Sequence, residues 1–350
     1  MNTPLDTLWY TRCPVPTGLG IAMQRGWLEA SFAARHTVVK SLRESDDQAV
    51  RESHFDHTLR NSVRHGGSIP AIWARAAGRD TRVIGLSWAD ETQLILTRPD
   101  TRIRTVRDLV GRRFGLPNWR NVQIDFTRAQ ALRGIDNALS TEGRSAADVE
   151  RIDFDIGGTY SDAPGRTGQG PLEFGGVPRA QHPELLGLLR GDVDAIFLKG
   201  AHAAQLASQL GLVTVIDIGA HPEPLLRVNN GTPRTLSVDA HLLDRHFDAA
   251  TQIVEQVLLA EQWAHAHPDD TRRFLAWETN SSEHWVRVAY GDDAHLRLRT
   301  GFDPIAARAL TEFSAFLHRW GFIAQPVDVP AWLDAHAFDA ARERVAARAA

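Results

Sequence analysis

Short apolar runs alternate with amphipathic segments along most of the chain. Segments 8–10, 37–42, 83–88, 92–97, 152–156, 193–198 and 213–219 have the length and β-branched content of strands. Between them the apolar spacing turns helical. One helix is predicted from Thr17, a good N-cap, through Ile21 and Met23 toward Trp27-Leu28, and others over 68–77, 123–139, 185–189 (stopped by Gly191) and 202–210. Segment 105–116 reads as a short helix, a glycine stop and a strand. The polar stretch 44–52 is expected to be a solvated loop or helix face. Beyond it, amphipathic helices are predicted over 249–265, 268–278 and 305–320. Strands alternating with helices place the chain in the α/β class.

Segment 157–182 breaks this rhythm. It is rich in Gly and Pro and has no period, so it is expected to be a long loop, either a mobile lid or a disordered excursion. Its glycines do not open a helix as a dinucleotide fingerprint would, and no Gly-Lys-Ser/Thr occurs anywhere, which excludes a phosphate-binding P-loop. A length of 350 residues exceeds what one small core organises, so two lobes are expected.

Composition narrows the function classes. A net charge of −4 offers no basic footprint for nucleic acid. No apolar run is long enough to cross a membrane, and Met1 to Asp6 does not open a secretory signal, so a cytoplasmic location is expected. A single cysteine excludes an intrachain disulfide and a Cys-rich zinc site. His265-x-His267 reads as a helix end, and no metal is expected. Of the 39 basic side chains only Lys40 and Lys199 are lysine.

That cysteine stands in Thr11-Arg12-Cys13-Pro14-Val15-Pro16. Pro14 biases Cys13 toward an extended conformation, and neither proline can donate to a sheet. The thiol therefore sits at the mouth of a strand ahead of a helix start, where α/β proteins place ligands. A second polar stretch runs from His54-Phe55-Asp56-His57 through Arg64 to Gly66-Gly67-Ser68-Ile69-Pro70. The paired glycines allow close backbone approach, and a helix N-terminus beside an arginine is a ready anion site.

The step Arg107-Asp108-Leu109-Val110-Gly111-Arg112-Arg113-Phe114-Gly115, followed by Gly191-Asp192-Val193-Asp194-Ala195, resembles the nitrate/sulfonate/taurine-binding branch of the type II periplasmic-binding-protein fold. The resemblance implies two α/β lobes around a central cleft. Lobe I would comprise 1–95 and 216–350 and lobe II 96–215, with crossovers near 94–98 and 215–219. A sharper resemblance is carried by Tyr10-Thr11-Arg12-Cys13-Pro14-Val15-Pro16, His54-Phe55, Arg64 and Gly66-Gly67-Ser68-Ile69-Pro70. These match at the same spacing the 2'-hydroxybiphenyl-2-sulfinate desulfinase family of dibenzothiophene desulfurisation, built on this same fold.

The second resemblance implies cleavage of an aryl carbon–sulfur bond with release of sulfite, without a cofactor. It makes Cys13 the reactive thiol, His54 its partner and Arg64 the clamp on the sulfinate, with Gly67 offering a backbone N–H to the same anion. Phe55, His57 and Trp119 are expected around the substrate, with Trp9, Trp27, Trp73 and Trp88 as further aromatics. His57 replaces the family's tyrosine and Leu59 a glutamine, which bears on which sulfinate fits. Two routes stay open: a Cys13 thiolate attacking sulfur, or a Cys13 thiol protonating the ring carbon. A monomer with a small-molecule partner is expected. The alternative is a binding protein for a sulfonate- or nitrate-type transporter, or a cytoplasmic small-anion sensor.

Overall fold

The computed structural model describes residues 4–161 and 182–349. Apart from its two ends, the stretch expected to form a lid lies outside the described residues. The chain builds two sheets, each covered by helices.

The first sheet begins with β1 (Thr7–Arg12), followed by helices α1 (Gly18–Gln24) and α2 (Trp27–Ala33). The single helix expected here is divided because Gly26 adopts a left-handed conformation, φ 68°, between the two. Thr17 caps the first as expected, its hydroxyl accepting from Gly20 N–H at 3.0 Å. Next come β2 (Val38–Ser41), α3 (Gln48–Asp56), β3 (Ser62–Gly67), α4 (Ser68–Ala76) and β4 (Thr81–Ser87).

The second sheet takes β5 (Gln93–Thr97), β6 (Arg113–Trp119), α5 (Phe126–Ser140), β7 (Glu150–Ile156), α6 (Pro183–Arg190), β8 (Ala195–Lys199), α7 (Gly200–Gln209) and β9 (Val213–Asp217). The chain then returns to the first sheet with β10 (Arg234–Asp239) and, later, the short β11 (Thr300–Gly301). The strand orders are β11-β4-β10-β3-β1-β2 and β7-β6-β8-β5-β9. Both β5 and β9 lie in the second sheet, so the chain passes between sheets over 88–92 and again over 218–233.

Within the first sheet β1 runs parallel to β2 and β3, whereas β10 is antiparallel to β3 and β4. In the second, β6 runs parallel to β7 and β8, and β5 is antiparallel to β8 and β9. The helix Phe247–Ala266 covers the first sheet, packing Ile253, Val254 and Val257 with Leu8, Val63, Leu236 and Val238. Helix α5 packs Leu132, Ile135 and Leu139 with Phe114, Leu116 and Phe197 of the second. Each such buried aliphatic or aromatic side chain contributes roughly 1.5–3 kcal/mol. This fixed packing matters for chemistry because it leaves the carboxyl ends of β1, β3, β6 and β8 facing one shared space.

Candidate active site

Strand alternation sets the first wall. Thr11 and Cys13 fall on one face, and Arg12 between them turns to the other. There Arg12 makes a buried pair with Glu278, Nη1 to Oε1 at 2.7 Å, which anchors the end of β1 to the helix Pro268–Thr279. Cys13 N–H donates to His65 O at 3.2 Å, keeping the cysteine extended beside β3. Its half-buried sulfur accepts from Gly67 N–H at 3.4 Å.

The two glycines are there for space. A β-carbon on Gly66 would lie 2.3 Å from Cys13 Sγ, and one on Gly67 would lie 2.4 Å from Asn230 Oδ1. Asn230 in turn caps α4: its Oδ1 accepts from Ile69 N–H at 2.9 Å and its backbone carbonyl from Ser68 N–H at 2.9 Å.

His54 comes from α3, which begins at the Asp47 cap; its exposed first turn and the loop before it match the solvated loop or helix face expected over 44–52, and the buried face follows from Arg51 on. Thr11 Oγ1 and His54 Nδ1 share a buried hydrogen bond of 2.6 Å, so β1 positions both the thiol and the imidazole. Burial, with the charges of Arg43 and Arg64, holds His54 well below the ordinary histidine range, so the ring is neutral. Burial likewise pushes the Cys13 thiol up, opposed by Gly67 N–H and by the charges of Arg43, Lys199 and Arg234. The thiol is therefore protonated at neutral pH.

Cys13, His54 and Gly67 open onto a cavity of about 360 Å³ that continues to the second sheet. One end is an aromatic box. Phe55 stacks on Phe126 with centroids 6.1 Å apart, and Tyr160 packs against Phe55, Phe126 and Trp119 at 5.1, 4.7 and 4.5 Å. Trp119 ends β6 and Lys199 ends β8, so ligand-facing groups lie at carboxyl ends of parallel strands in both sheets.

Of the residues expected from sequence, Cys13, His54, Gly67, Phe55 and Trp119 meet in this cavity; Arg64 and His57 do not line it. Arg64 Nε donates to Ser53 O at 3.0 Å, Nη2 to Ser53 Oγ at 2.7 Å and Nη1 to Ser62 Oγ at 2.8 Å. Its fork thus ties α3 to β3 directly before His54, instead of presenting itself to a ligand. His57 is the left-handed residue ending α3, φ 55°, buried and held well below the usual histidine range by burial and by Arg64. Trp9, Trp27, Trp73 and Trp88 pack elsewhere. Sequence reasoning missed Thr11, Asn230, Tyr160, Phe126 and Lys199; for Thr11 the signal was available, since it precedes Cys13 by two on one strand face.

The role of Arg64 yields a first expected outcome. Arg64→Lys keeps the charge but cannot reproduce three forked bonds, each worth roughly 1.5–3 kcal/mol to a charged donor. Unfolding in denaturant should show a loss of about 2–4 kcal/mol. In turnover assays kcat should fall with His54 misplaced, and KM for an anionic substrate should change little; a large KM rise would show direct clamping instead.

No protein-family model matches the chain. It is 27% identical over 354 residues to 2'-hydroxybiphenyl-2-sulfinate desulfinase of Rhodococcus erythropolis, covering 93% of this chain and 91% of that protein. A cysteine-to-serine variant of the desulfurisation enzyme DszB, solved in complex with biphenyl-2-sulfinic acid, superposes with a TM-score of 0.73 at 24% identity over 97% of this chain and 99% of that one. The periplasmic aliphatic sulphonate binding protein SsuA of Escherichia coli gives 0.63 at 14% identity, covering 94% of this chain and 92% of that one. The fold is thus the two-lobed periplasmic-binding-protein type expected from the sequence.

Proposed function

We propose that this chain is an aryl-sulfinate desulfinase, cleaving the carbon–sulfur bond of a substrate like 2'-hydroxybiphenyl-2-sulfinate to release sulfite. The observation that carries the reading is the Cys13 thiol, held by Gly67 N–H on the wall of a cavity whose other end is an aromatic box. Phe55, Trp119, Phe126 and Tyr160 offer flat apolar surfaces to the arene, while the polar groups converge near the sulfur of Cys13. A transporter-type binding protein needs the anion site but has no use for a thiol beside it.

The protonation states favour one of the two routes. Cys13 transfers its proton to the ring carbon bearing sulfur, and the carbon–sulfur bond breaks with its electron pair filling the new carbon–hydrogen bond. Neutral sulfur dioxide departs, leaving a thiolate. Water adds to sulfur dioxide, giving bisulfite and a proton that returns to the thiolate, with neutral His54 on the same wall as the relay. The net change is addition of water across the carbon–sulfur bond, a hydrolase reaction. An anion bound beside the thiol raises its pKa further and keeps the donor charged with its proton.

This sets the expected pH dependence. A free thiol titrates near about 8.5, and burial raises Cys13 from its ordinary value. The proton donor is fully present below the raised pKa and is lost as pH rises through it. Sulfite release from 2'-hydroxybiphenyl-2-sulfinate should therefore be flat in kcat/KM through neutrality and fall above the ordinary thiol range. Stoichiometric binding with no sulfite from any aryl sulfinate would favour a binding protein. Activity rising tenfold per pH unit from neutrality would support thiolate attack.

A further inference from the structure

The cavity holds a second polar cluster, at the end of β8, that the proposed chemistry leaves without a task. Among the described residues lining the cavity, Lys199 is the only lysine or arginine; Arg64 is committed to Ser53 and Ser62 outside it. Lys199 ends β8 and is the N-cap of the ten-residue helix α7, whose first residues Gly200 and Ala201 also line the cavity. Its ammonium donates to Glu91 Oε1 at 2.6 Å. An ammonium has three donors, and the other two have no hydrogen-bond partner among the described residues.

Glu91 is shared. Arg234, fully buried, approaches the same Oε1 at 3.9 Å, and its Nε and Nη2 have no hydrogen-bond partner among the described residues. Tyr290 Oη donates to Glu91 Oε2 at 3.4 Å. Glu91 is thus shared by two cations, and the second carboxylate lining the cavity, Glu184, is paired with His182 at 2.9 Å instead. The consecutive residues Asn230 and Gly231 join this wall to the thiol side. A β-carbon on Gly231 would lie 3.3 Å from Lys199 Nζ, and one on Gly67 would lie 2.6 Å from Asn230 Nδ2. Lys199 also acts on the thiol itself, drawing its pKa down against burial. In a chain that otherwise uses arginine almost throughout, a lysine stands here, where a compact ammonium fits beside Gly231 and Glu91.

We propose that Lys199, braced by Glu91, grips the anionic head of the ligand, so that the oxygens of a sulfinate lie between its ammonium and Gly67 N–H with Cys13 alongside. The sulfinate identity rests on the desulfinase reading; the anion-binding role of Lys199 does not. A charge-assisted pair of this kind shifts affinity by about 10–100-fold.

The test is calorimetric binding of biphenyl-2-sulfinate and of neutral 2-hydroxybiphenyl to wild type, Lys199→Met and Lys199→Arg. Lys199→Met leaves Glu91 without its closest partner, so the double variant Glu91→Gln/Lys199→Met removes both charges and guards against a folding defect. The expected result is a loss of sulfinate affinity of about 10–100-fold in both Met variants, partial retention in Lys199→Arg, and neutral-ligand binding changed less than about threefold. KM should rise by the same factor, with kcat less affected. Unchanged sulfinate affinity in the Met variants overturns the proposal even if sulfite is released normally. Lysine-dependent binding without sulfite release overturns the desulfinase reading and leaves the subsite standing. No binding of either ligand by wild type overturns both.

Discussion

Gly66→Ala is expected to cut turnover by about 10²-fold or more while leaving a folded protein, because it moves the reacting sulfur and little else. The new methyl group would lie 2.3 Å from Cys13 Sγ and 3.0 Å from Cys13 Cβ, well inside contact distance. Gly66 cannot retreat. It pairs with Thr235 in the middle of a six-stranded sheet, and β3 is held on its other side by β1. Cys13 lies beyond the end of β1 and can shift, but doing so gives up the 3.4 Å hydrogen bond from Gly67 N–H. Overpacking of this kind costs about 1–3 kcal/mol, so the denaturation midpoint should fall without loss of cooperativity. Steady-state kinetics and unfolding on the same sample separate the two effects; an unchanged kcat would mean that the position of Cys13 is not critical.

Much of this arrangement could be read from the residues. Cys13 between a strand and two prolines, and Gly66-Gly67 ahead of a helix, predicted a thiol near a backbone donor, and the sulfur is on Gly67 N–H. The apolar strands were visible because their runs are short, β-branched and bounded by turn residues. β3 and β10 were not: Ser-Val-Arg-His-Gly-Gly and Arg-Thr-Leu-Ser-Val-Asp carry mostly polar side chains that become buried only because the strands are central. That burial also explains the error over Arg64. Its sequence neighbours suggested a cation beside an anion site, whereas Ser53 and Ser62, one on α3 and one on β3, capture all three arms of its fork. Lys199, Asn230 and Tyr160 come from distant parts of the chain, and only the packing of two sheets brings them to Cys13. A trace of Lys199 was present, in that it ends an apolar strand directly before a glycine and a helix, where α/β folds collect ligand groups.

The measurement that tests the account most directly is sulfite release by Cys13→Ser beside its affinity for the same substrate. Serine fits where the thiol does and can still accept from Gly67 N–H, so the fold and the aromatic box should be unaffected. A hydroxyl is a far weaker acid than a thiol, and removal of a positioned proton donor costs about 10²–10⁴-fold. With 2'-hydroxybiphenyl-2-sulfinate, the account predicts that Cys13→Ser binds within about threefold of wild type and releases sulfite slower by that 10²–10⁴-fold. Equal rates of sulfite release from the two proteins would contradict it.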